Sequence, residues 1–100
     1  MSCGNNIEYV YTFPKELKVG KTDRYSVELM DWLDGEEVLG NCVVECLNNK
    51  ASLIQSGVSG SKIIMLISGM GAGEEKLKIS YSTADTGRSD EIEVRLHVTL

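Results

Sequence analysis

The sequence predicts an all-β protein, a single antiparallel β-sandwich of immunoglobulin-like build with about seven strands. Three observations support this fold class. Apolar residues alternate with polar ones or cluster in short runs, the runs end at Gly, Asn, Asp or Ser, and no long stretch has the 3.6-residue period of a helix. A β-barrel stays an alternative because strand number does not separate the two architectures. Without a repeat, low-complexity tract or linker, residues 1–100 are expected to form one domain.

The first strand is predicted in residues 7–13, where apolar and polar residues alternate until Pro14 ends the run. Residues 1–20 also admit a second interpretation, an arm that pairs with a neighbouring molecule. Three aromatic residues lie close together in that segment, namely Tyr9, Tyr11 and Phe13. We favour the interpretation in which they belong to the domain's own first strand.

Three more strands are predicted in the first half of the chain. Residues 24–29 place three apolar side chains on one face, and residues 38–47 form a strand that is bent or bulged at Gly40–Asn41. A short strand over residues 51–55 is followed by a turn over residues 56–61.

Three strands are also predicted in the second half. Residues 62–67 are apolar on both faces, which indicates a strand covered on both sides or lying at the centre of the sandwich. Residues 75–83 alternate, with an inward row formed by Leu77, Ile79, Tyr81 and Thr83. Residues 91–100 alternate most sharply, with an inward row formed by Ile92, Val94, Leu96, Val98 and Leu100.

Size and charge exclude several classes of protein. A chain of 100 residues can bury the core of one domain. Ten Lys and Arg residues against fifteen Asp and Glu give a net charge of −5, which argues against nucleic-acid binding because that binding relies on clustered cations. No run of about 18 apolar residues predicts a membrane span, and the N-terminus lacks the charged and apolar regions of a signal peptide. We therefore expect a cytoplasmic site of synthesis and no membrane partner.

Few residues in the chain predict catalysis. The one histidine, His97, lies on the polar face of the last predicted strand, and Ser59 lacks the strand-to-helix turn that exposes a nucleophile. Two of the three cysteines are about 13 Å apart along an extended strand, too far for a disulfide, and the spacing does not match a zinc site. We expect no enzyme, no cofactor and no metal centre, with free thiols at Cys3, Cys42 and Cys46.

An acidic turn follows the second predicted strand. Around Gly35 the chain places four carboxylates within seven residues, at Asp31, Asp34, Glu36 and Glu37. Carboxylates at this density can bind calcium, but the EF-hand spacing is absent, so a turn with a charged rim is the favoured interpretation. Calcium binding at the turn Asp34-Gly35-Glu36 stays an open alternative. The glycine-rich residues 68–75 lack the P-loop pattern and predict a hairpin connection.

Residues 83–91 predict the connection of the last hairpin. Gly87 supplies the positive φ that such a loop needs. Arg88 follows it among three acids, and we expect an ion pair across the mouth of the hairpin with Asp85, Asp90 or Glu91. On these residues alone, Arg88 stabilises a corner of the fold and has no catalytic role.

The order of these motifs is more informative than any one of them. A first half rich in Asp and in Tyr or Trp ends in a turn of the pattern D-G-D/E, which is Asp34-Gly35-Glu36 in this sequence. An apolar strand then closes in L-S-G-G, which appears at residues 67–70 with Gly69 kept and Met70 in place of the last glycine. The hairpin motif G-R-x-D-E is complete, at Gly87, Arg88, Ser89, Asp90 and Glu91. From about Tyr25 to the C-terminus, the chain resembles a family of small structural proteins of tailed bacteriophages, called fiber-tail adaptors or immunoglobulin-like neck proteins.

The resemblance implies a virion protein that has no catalytic activity and is synthesised in the host cytoplasm. Copies would form a ring or array and join the portal or tail ring to a fiber, through exposed loops and an edge strand. Two alternatives remain, a capsid-decorating immunoglobulin-like protein and a soluble assembly chaperone that is absent from the particle. Candidate interface residues are Trp32, Tyr9 and Tyr11, although Trp32 at the turn is favoured as a plug of the core.

Overall fold

The computed structural model describes residues 10–100. It contains eight strands, which are β1 (Val10–Thr12), β2 (Leu17–Lys18), β3 (Thr22–Glu28), β4 (Leu39–Cys46), β5 (Ala51–Ser59), β6 (Lys62–Gly69), β7 (Gly73–Thr83) and β8 (Ser89–Thr99). Over the described residues, no helix has the length and apolar character needed to cross a membrane.

The strands form two packed sheets, so the predicted β-sandwich is confirmed. Sheet I has the order β1-β8-β7-β4, with β2 also paired to β8, and sheet II has the order β3-β6-β5. Strands β3, β6 and β5 take the places of strands B, E and D of an immunoglobulin domain, and β4, β7 and β8 take those of C, F and G. One detail differs from the predicted antiparallel architecture, because β1 and β2 run parallel to β8.

Strands β1 and β2 share one edge of β8. Val10 lies opposite Glu93 in the first pairing, and Leu17 lies opposite Val98 in the second. Pro14 lies between the two strands and has no amide hydrogen to donate, so the ladder is interrupted there. The predicted first strand is thus confirmed for residues 10–12, and its predicted residues 7–9 lie outside the described part of the chain.

The core lies between the inner faces of the two sheets. Three side chains of β6 have no exposed surface, at Ile63, Met65 and Ile67. They belong to one cluster with the inward rows of β7 and β8, among them Leu77, Ile79, Val94 and Leu96. The inward faces that the alternation predicted for residues 75–83 and 91–98 are therefore confirmed. Leu100 was predicted to face inward, which is wrong, because its side chain lies 91% exposed beyond the end of β8.

Strand β5 is longer than the sequence predicted. Residues 56–61 were expected to form a turn, yet β5 continues to Ser59 and pairs with β6 as far as Ser59 opposite Lys62. Only Gly60 and Ser61 connect these strands, with Gly60 at φ 63°. The prediction was wrong because Ser56, Gly57 and Ser59 have the composition of a turn, whereas the ladder of β6 determines their backbone conformation.

The apolar strand β6 is covered on one face only. It is the central strand of sheet II, and its inner side chains are buried, but Ile64 and Leu66 on the outer face are half-buried. Of the two predictions, the central position is right and the cover on both faces is wrong among the described residues. The predicted irregularity of β4 is confirmed, since its register with β7 shifts between Leu39 and Asn41.

Candidate functional site: the loop cluster around Arg88

Two loops meet at one end of the sandwich. One connects β3 to β4 and contains the acidic turn, and the other connects β7 to β8 and contains the hairpin motif. Their contact is centred on Arg88, and we call the group of Trp32, Asp34, Glu37, Thr86 and Arg88 the Arg88 cluster. The cluster joins the two sequence motifs, which lie some fifty positions apart in the chain.

Arg88 binds Glu37 through two of its nitrogens. Its Nη2 donates to Glu37 Oε1 at 2.6 Å, and its Nε donates to Glu37 Oε2 at 3.1 Å. The same Nη2 donates to the backbone carbonyl of Trp32 at 2.8 Å and lies 3.7 Å from Asp34 Oδ2. A two-point contact of guanidinium and carboxylate fixes orientation as well as distance, so Arg88 holds the acidic turn against the hairpin loop.

Glu37 accepts further hydrogen bonds inside the cluster. The backbone amide of Asp34 donates to Oε1 at 2.8 Å, and the Thr86 hydroxyl donates to Oε2. These donors stabilise the ionised carboxylate, and Arg88 is the strongest of them; together they lower the pKa of Glu37 to about 2. The charged carboxylate of Glu37 therefore makes a structural contact within the domain.

Trp32 packs between the cluster and the core. The guanidinium carbon of Arg88 lies 4.3 Å from the centre of the indole ring, and the edge of the Tyr81 ring packs against it at 4.8 Å. Trp32 is half-buried and contacts the core cluster. Of the two predicted roles, packing against the core matches these contacts. The stack of the Trp32 ring on the Arg88 guanidinium explains why this side chain also lies at a surface turn.

The predicted acid partners of Arg88 were wrong. In the described part of the chain, Arg88 makes no ion pair with Asp85, Asp90 or Glu91. Asp90 instead accepts the amide of Glu91 at 2.8 Å, and Glu91 pairs with Lys78 of β7 at 3.3 Å. The sequence suggested near neighbours, whereas the contact of the two loops supplies partners from the acidic turn.

Backbone geometry explains three of the predicted glycine positions. Gly35 has φ 54° and Gly87 has φ 72°, the left-handed conformation that favours glycine at the two turns of the cluster. Gly69 has another role at the end of β6, where a Cβ would lie 2.5 Å from the carbonyl oxygen of Lys18. The glycine of the L-S-G-G stretch therefore admits the close approach of the chain around β2.

Glu75 is a buried carboxylate that the sequence interpretation did not identify. Its side chain is fully buried, and its two oxygens accept three backbone amides, from Asn48 at 2.7 Å, Lys50 at 2.7 Å and Ala51 at 2.8 Å. Asn48 and Lys50 belong to the connection between β4 and β5, and Ala51 is the first residue of β5. The available signal was its place in the inward row, two residues before Leu77 on the same alternating strand.

The remaining predicted residues lie apart from the cluster. Tyr11 in β1 is 47% exposed and packs its ring against Phe13 at 5.6 Å, while Tyr9 lies outside the described residues. Cys42 and Cys46 are free thiols, half-buried on β4, and burial raises the pKa of each. His97 is exposed on β8.

No part of the described chain offers an obvious metal site. Residues 10–100 contain no group of three or more His, Cys, Asp or Glu side chains arranged to bind a metal ion. At the acidic turn, Glu37 directs both oxygens toward Arg88, Thr86 and the backbone of Asp34. These hydrogen bonds of Glu37 explain the acidic turn as the binding partner of Arg88.

The outer face of sheet II contains a shallow groove of about 350 Å³. Its lining includes Ile64 and Leu66 of β6 and Gly57 of β5. Arg24 and Gln55 contribute polar side chains to the lining. The groove is open and has a partly apolar lining, so it is a surface feature rather than an enclosed pocket.

Comparisons with known proteins support the fold. No family model matches the sequence, and no curated protein matches it significantly. Domains 4 and 5 of the S-layer protein SbsC superpose with a TM-score of 0.58 at 18% identity, over 93% of this chain and 43% of that one. The chain therefore spans less than half the length of that structure. Amebosin aligns with a TM-score of 0.40 at 17% identity, over 88% of each chain. At 18% identity, the superposition on the SbsC domains supports the β-sandwich fold and nothing further.

Proposed function

We propose that the protein is a structural component of a tailed phage particle, without enzymatic activity, that joins a fiber to the neck or tail ring near the portal. The observation that carries this proposal is the Arg88 cluster. The residues of the two motifs that resemble fiber-tail adaptors, Asp34-Gly35-Glu36 and Gly87-Arg88, meet at this one end of the domain. The two stretches that carry the resemblance therefore form one structural unit in this chain.

The chemistry of the cluster favours a structural role over catalysis. Arg88 and Glu37 use their charged atoms on each other and on the loop backbone. A catalytic site needs a nucleophile, a base and an orienting group that converge on a free position. The cluster instead holds the two loops together at one end of the domain, where a partner can bind them. We place the protein in the virion, with copies of itself, portal or tail-ring subunits and a fiber as partners.

Cross-linking mass spectrometry on purified particles tests the proposal. Lysine-reactive reagents suit this chain because it has lysines in several strands and loops, among them Lys15, Lys62 and Lys78. We expect cross-links to portal or tail-ring subunits and to a fiber protein. Cross-links to the major capsid protein alone would replace the proposal with capsid decoration. Absence from particles, with presence in the infected-cell lysate, would favour an assembly chaperone.

A further inference from the structure

The free edges of the two sheets differ in how well they are protected. On β3, the amide of Arg24 is bound by Asp23 Oδ1 at 2.8 Å, and its carbonyl accepts from Lys15 Nζ at 3.0 Å. On β5, the amide of Ala51 is bound by Glu75, and the register shifts between Leu53 and Gln55. Charges, side-chain caps and bulges of this kind hinder the addition of another strand.

The edge strand β4 of sheet I carries fewer charges than β3, and unlike β5 it has its register shift at its start, so that residues 42–46 pair without interruption. Between Leu39 and Cys46 it carries one charged residue, Glu45, and neither lysine nor proline. Asn41 Oδ1 caps the amide of Cys42 at 2.9 Å, beside the register shift at the start of the strand. On the outer face, Val43 is 55% exposed, and Leu47 just beyond the strand is 46% exposed. An edge strand with few charges and exposed apolar side chains is a surface to which another strand can pair.

The pairing of β4 with β7 determines which backbone groups of β4 point toward the open edge of sheet I. Leu47 donates its amide to Lys76, and the register continues with Glu45 opposite Lys78 and Val43 opposite Ser80. Antiparallel ladders alternate, so the residues between these pairs direct their amides and carbonyls away from β7. Those residues are Cys42, Val44 and Cys46.

We propose that β4 pairs with β4 of a second copy of this chain, antiparallel and centred on Val44, so that sheet I continues from one copy into the other. In this register Val44 lies opposite Val44, and Cys42 of each copy lies opposite Cys46 of the other. The amides and carbonyls of Cys42, Val44 and Cys46 then face those of the other copy, and each of the three pairs exchanges two hydrogen bonds once the Asn41 side chain releases the amide of Cys42. Any shift of the register leaves the backbone amide and carbonyl of at least one of Cys42, Val44 and Cys46 without a partner in the other copy.

Charge and architecture favour a second copy at this edge. The register places Glu45 opposite Val43 of the other copy, so the two carboxylates do not face each other, and each has Lys78 of its own chain as its ladder neighbour. Immunoglobulin variable domains extend the corresponding sheet with a further strand beside strand C. Here the chain passes from β4 through residues 47–50 directly into β5, so no strand of residues 10–100 occupies that position.

Thiol cross-linking tests the register directly. Opposed residues of a hydrogen-bonded pair have Cα atoms about 5.5 Å apart, within the range of a disulfide. In a Cys3→Ser variant oxidised by copper phenanthroline at mildly alkaline pH, two thiols would lose two protons and pass two electrons to copper. We expect a covalent dimer whose linked peptides contain Cys42 and Cys46.

The controls are Cys3→Ser variants that also carry Cys42→Ser or Cys46→Ser. Each retains one thiol on β4, and in the proposed register identical thiols lie about 13 Å apart, too far to link. We expect no covalent dimer from either control. Equal cross-linking in the controls would overturn the register, and a monomer at every concentration in sedimentation equilibrium would overturn the contact.

Charge variants of Val43 give an independent readout that needs no oxidation. Val43→Glu places a carboxylate opposite Glu45 of the other copy, whereas Val43→Lys places an ammonium there. From the size of such cross-strand pairs, present twice by symmetry, we expect Val43→Glu to raise the dimer dissociation constant roughly 2- to 30-fold and Val43→Lys to preserve or lower it.

Met70→Glu is the matched control for the charge variants, because Met70 is 62% exposed and lies in the connection between β6 and β7 rather than on β4. It should leave the dissociation constant unchanged. Equal weakening by both Val43 variants, or by the Met70 variant, would overturn the proposal. These assays use the purified protein, so a negative result removes the β4 contact, while the particle cross-links independently decide the adaptor role.

Discussion

Arg88 combines three interactions that act on different parts of the fold. Its guanidinium binds the carboxylate of Glu37, donates to the carbonyl of Trp32 and stacks on the Trp32 ring. Its backbone amide also donates to the Thr83 hydroxyl at 3.0 Å, which closes the hairpin loop. Lysine could supply the charge but neither the two-point geometry nor the planar stack.

Replacement of Arg88 by alanine should destabilise the domain. We expect Arg88→Ala to lower the melting temperature by roughly 4–8 °C, since a charge-assisted pair and a stack are lost in a domain of this size. The melting temperature of Arg88→Lys should lie between those of Arg88→Ala and the wild type. Differential scanning calorimetry measures the change, with Arg24→Ala as an exposed-arginine control. An unchanged melting temperature together with failed incorporation into particles would instead identify Arg88 as an interface residue.

The stability of the cluster should depend on pH through Glu37. Because folding lowers the pKa of Glu37 from 4.5 to about 2, its contribution is fully present above the unfolded value and is lost as the pH falls through the folded value. We expect Glu37→Gln to be less stable than wild type at pH 7, with a gap that narrows between about pH 5 and 2. Urea unfolding across this range measures the gap. A constant gap, or an equal effect of Glu36→Gln, would contradict this role.

Glu75 offers a separate test of a buried carboxylate. Glu75→Gln replaces one acceptor oxygen by an amide donor that faces backbone amides, so buried donors lose their partner. We expect the free energy of unfolding to fall by about 1–3 kcal/mol, measured by urea unfolding. Glu74→Gln on the neighbouring exposed position is the control and should change it by less than about 0.5 kcal/mol. Similar values for both variants would exclude the capping role.

At the scale of the strands, sequence predicted what local alternation determines. The inward rows of β7 and β8 followed from a period of two, because one face is buried along most of each strand. The second half of β5 was missed because its serines and glycine have turn composition. The partners of Arg88 were missed because Glu37 lies far away in the chain and only the packing of the sheets brings it near. Glu75 was missed because a carboxylate in an inward row is normally excluded from a core.

The end of β6 depends on close contact with the chain around β2. Gly69→Ala would place a Cβ 2.5 Å from the Lys18 carbonyl and 3.2 Å from Val98 Cγ1, so the backbone must shift. We expect a loss of about 1–3 kcal/mol in the free energy of unfolding. Gly57→Ala is the control, since its Cβ would meet nothing within 4 Å and should be neutral or stabilise by up to about 1 kcal/mol. A neutral Gly69→Ala would show that β2 can move away at little cost.

At the scale of the whole molecule, the segment from β1 to β2 connects the two sheets along one side. Its strands pair with β8 of sheet I, while Phe13 between them packs its ring 4.9 Å from that of Tyr25 in β3 of sheet II. Lys15 continues this connection, with its ammonium 4.8 Å from the Tyr25 ring centre and 3.2 Å from Asp23. One short segment therefore holds an edge of each sheet, and its central contact is apolar.

Phe13→Ala should therefore weaken the sandwich as a whole. Phe13 is 5% exposed, and deletion of a buried phenylalanine ring costs about 3–5 kcal/mol in domain cores. We expect the free energy of unfolding to fall by an amount near the lower figure, because the cavity would open at the side of the sandwich and could partly collapse. Tyr11→Ala is the matched control on the same strand, with a ring 47% exposed and an expected loss below about 1 kcal/mol. Urea unfolding followed by far-ultraviolet circular dichroism measures both variants. Equal losses would mean that the pairing of β1 with β8, rather than the Phe13–Tyr25 contact, joins the two sheets.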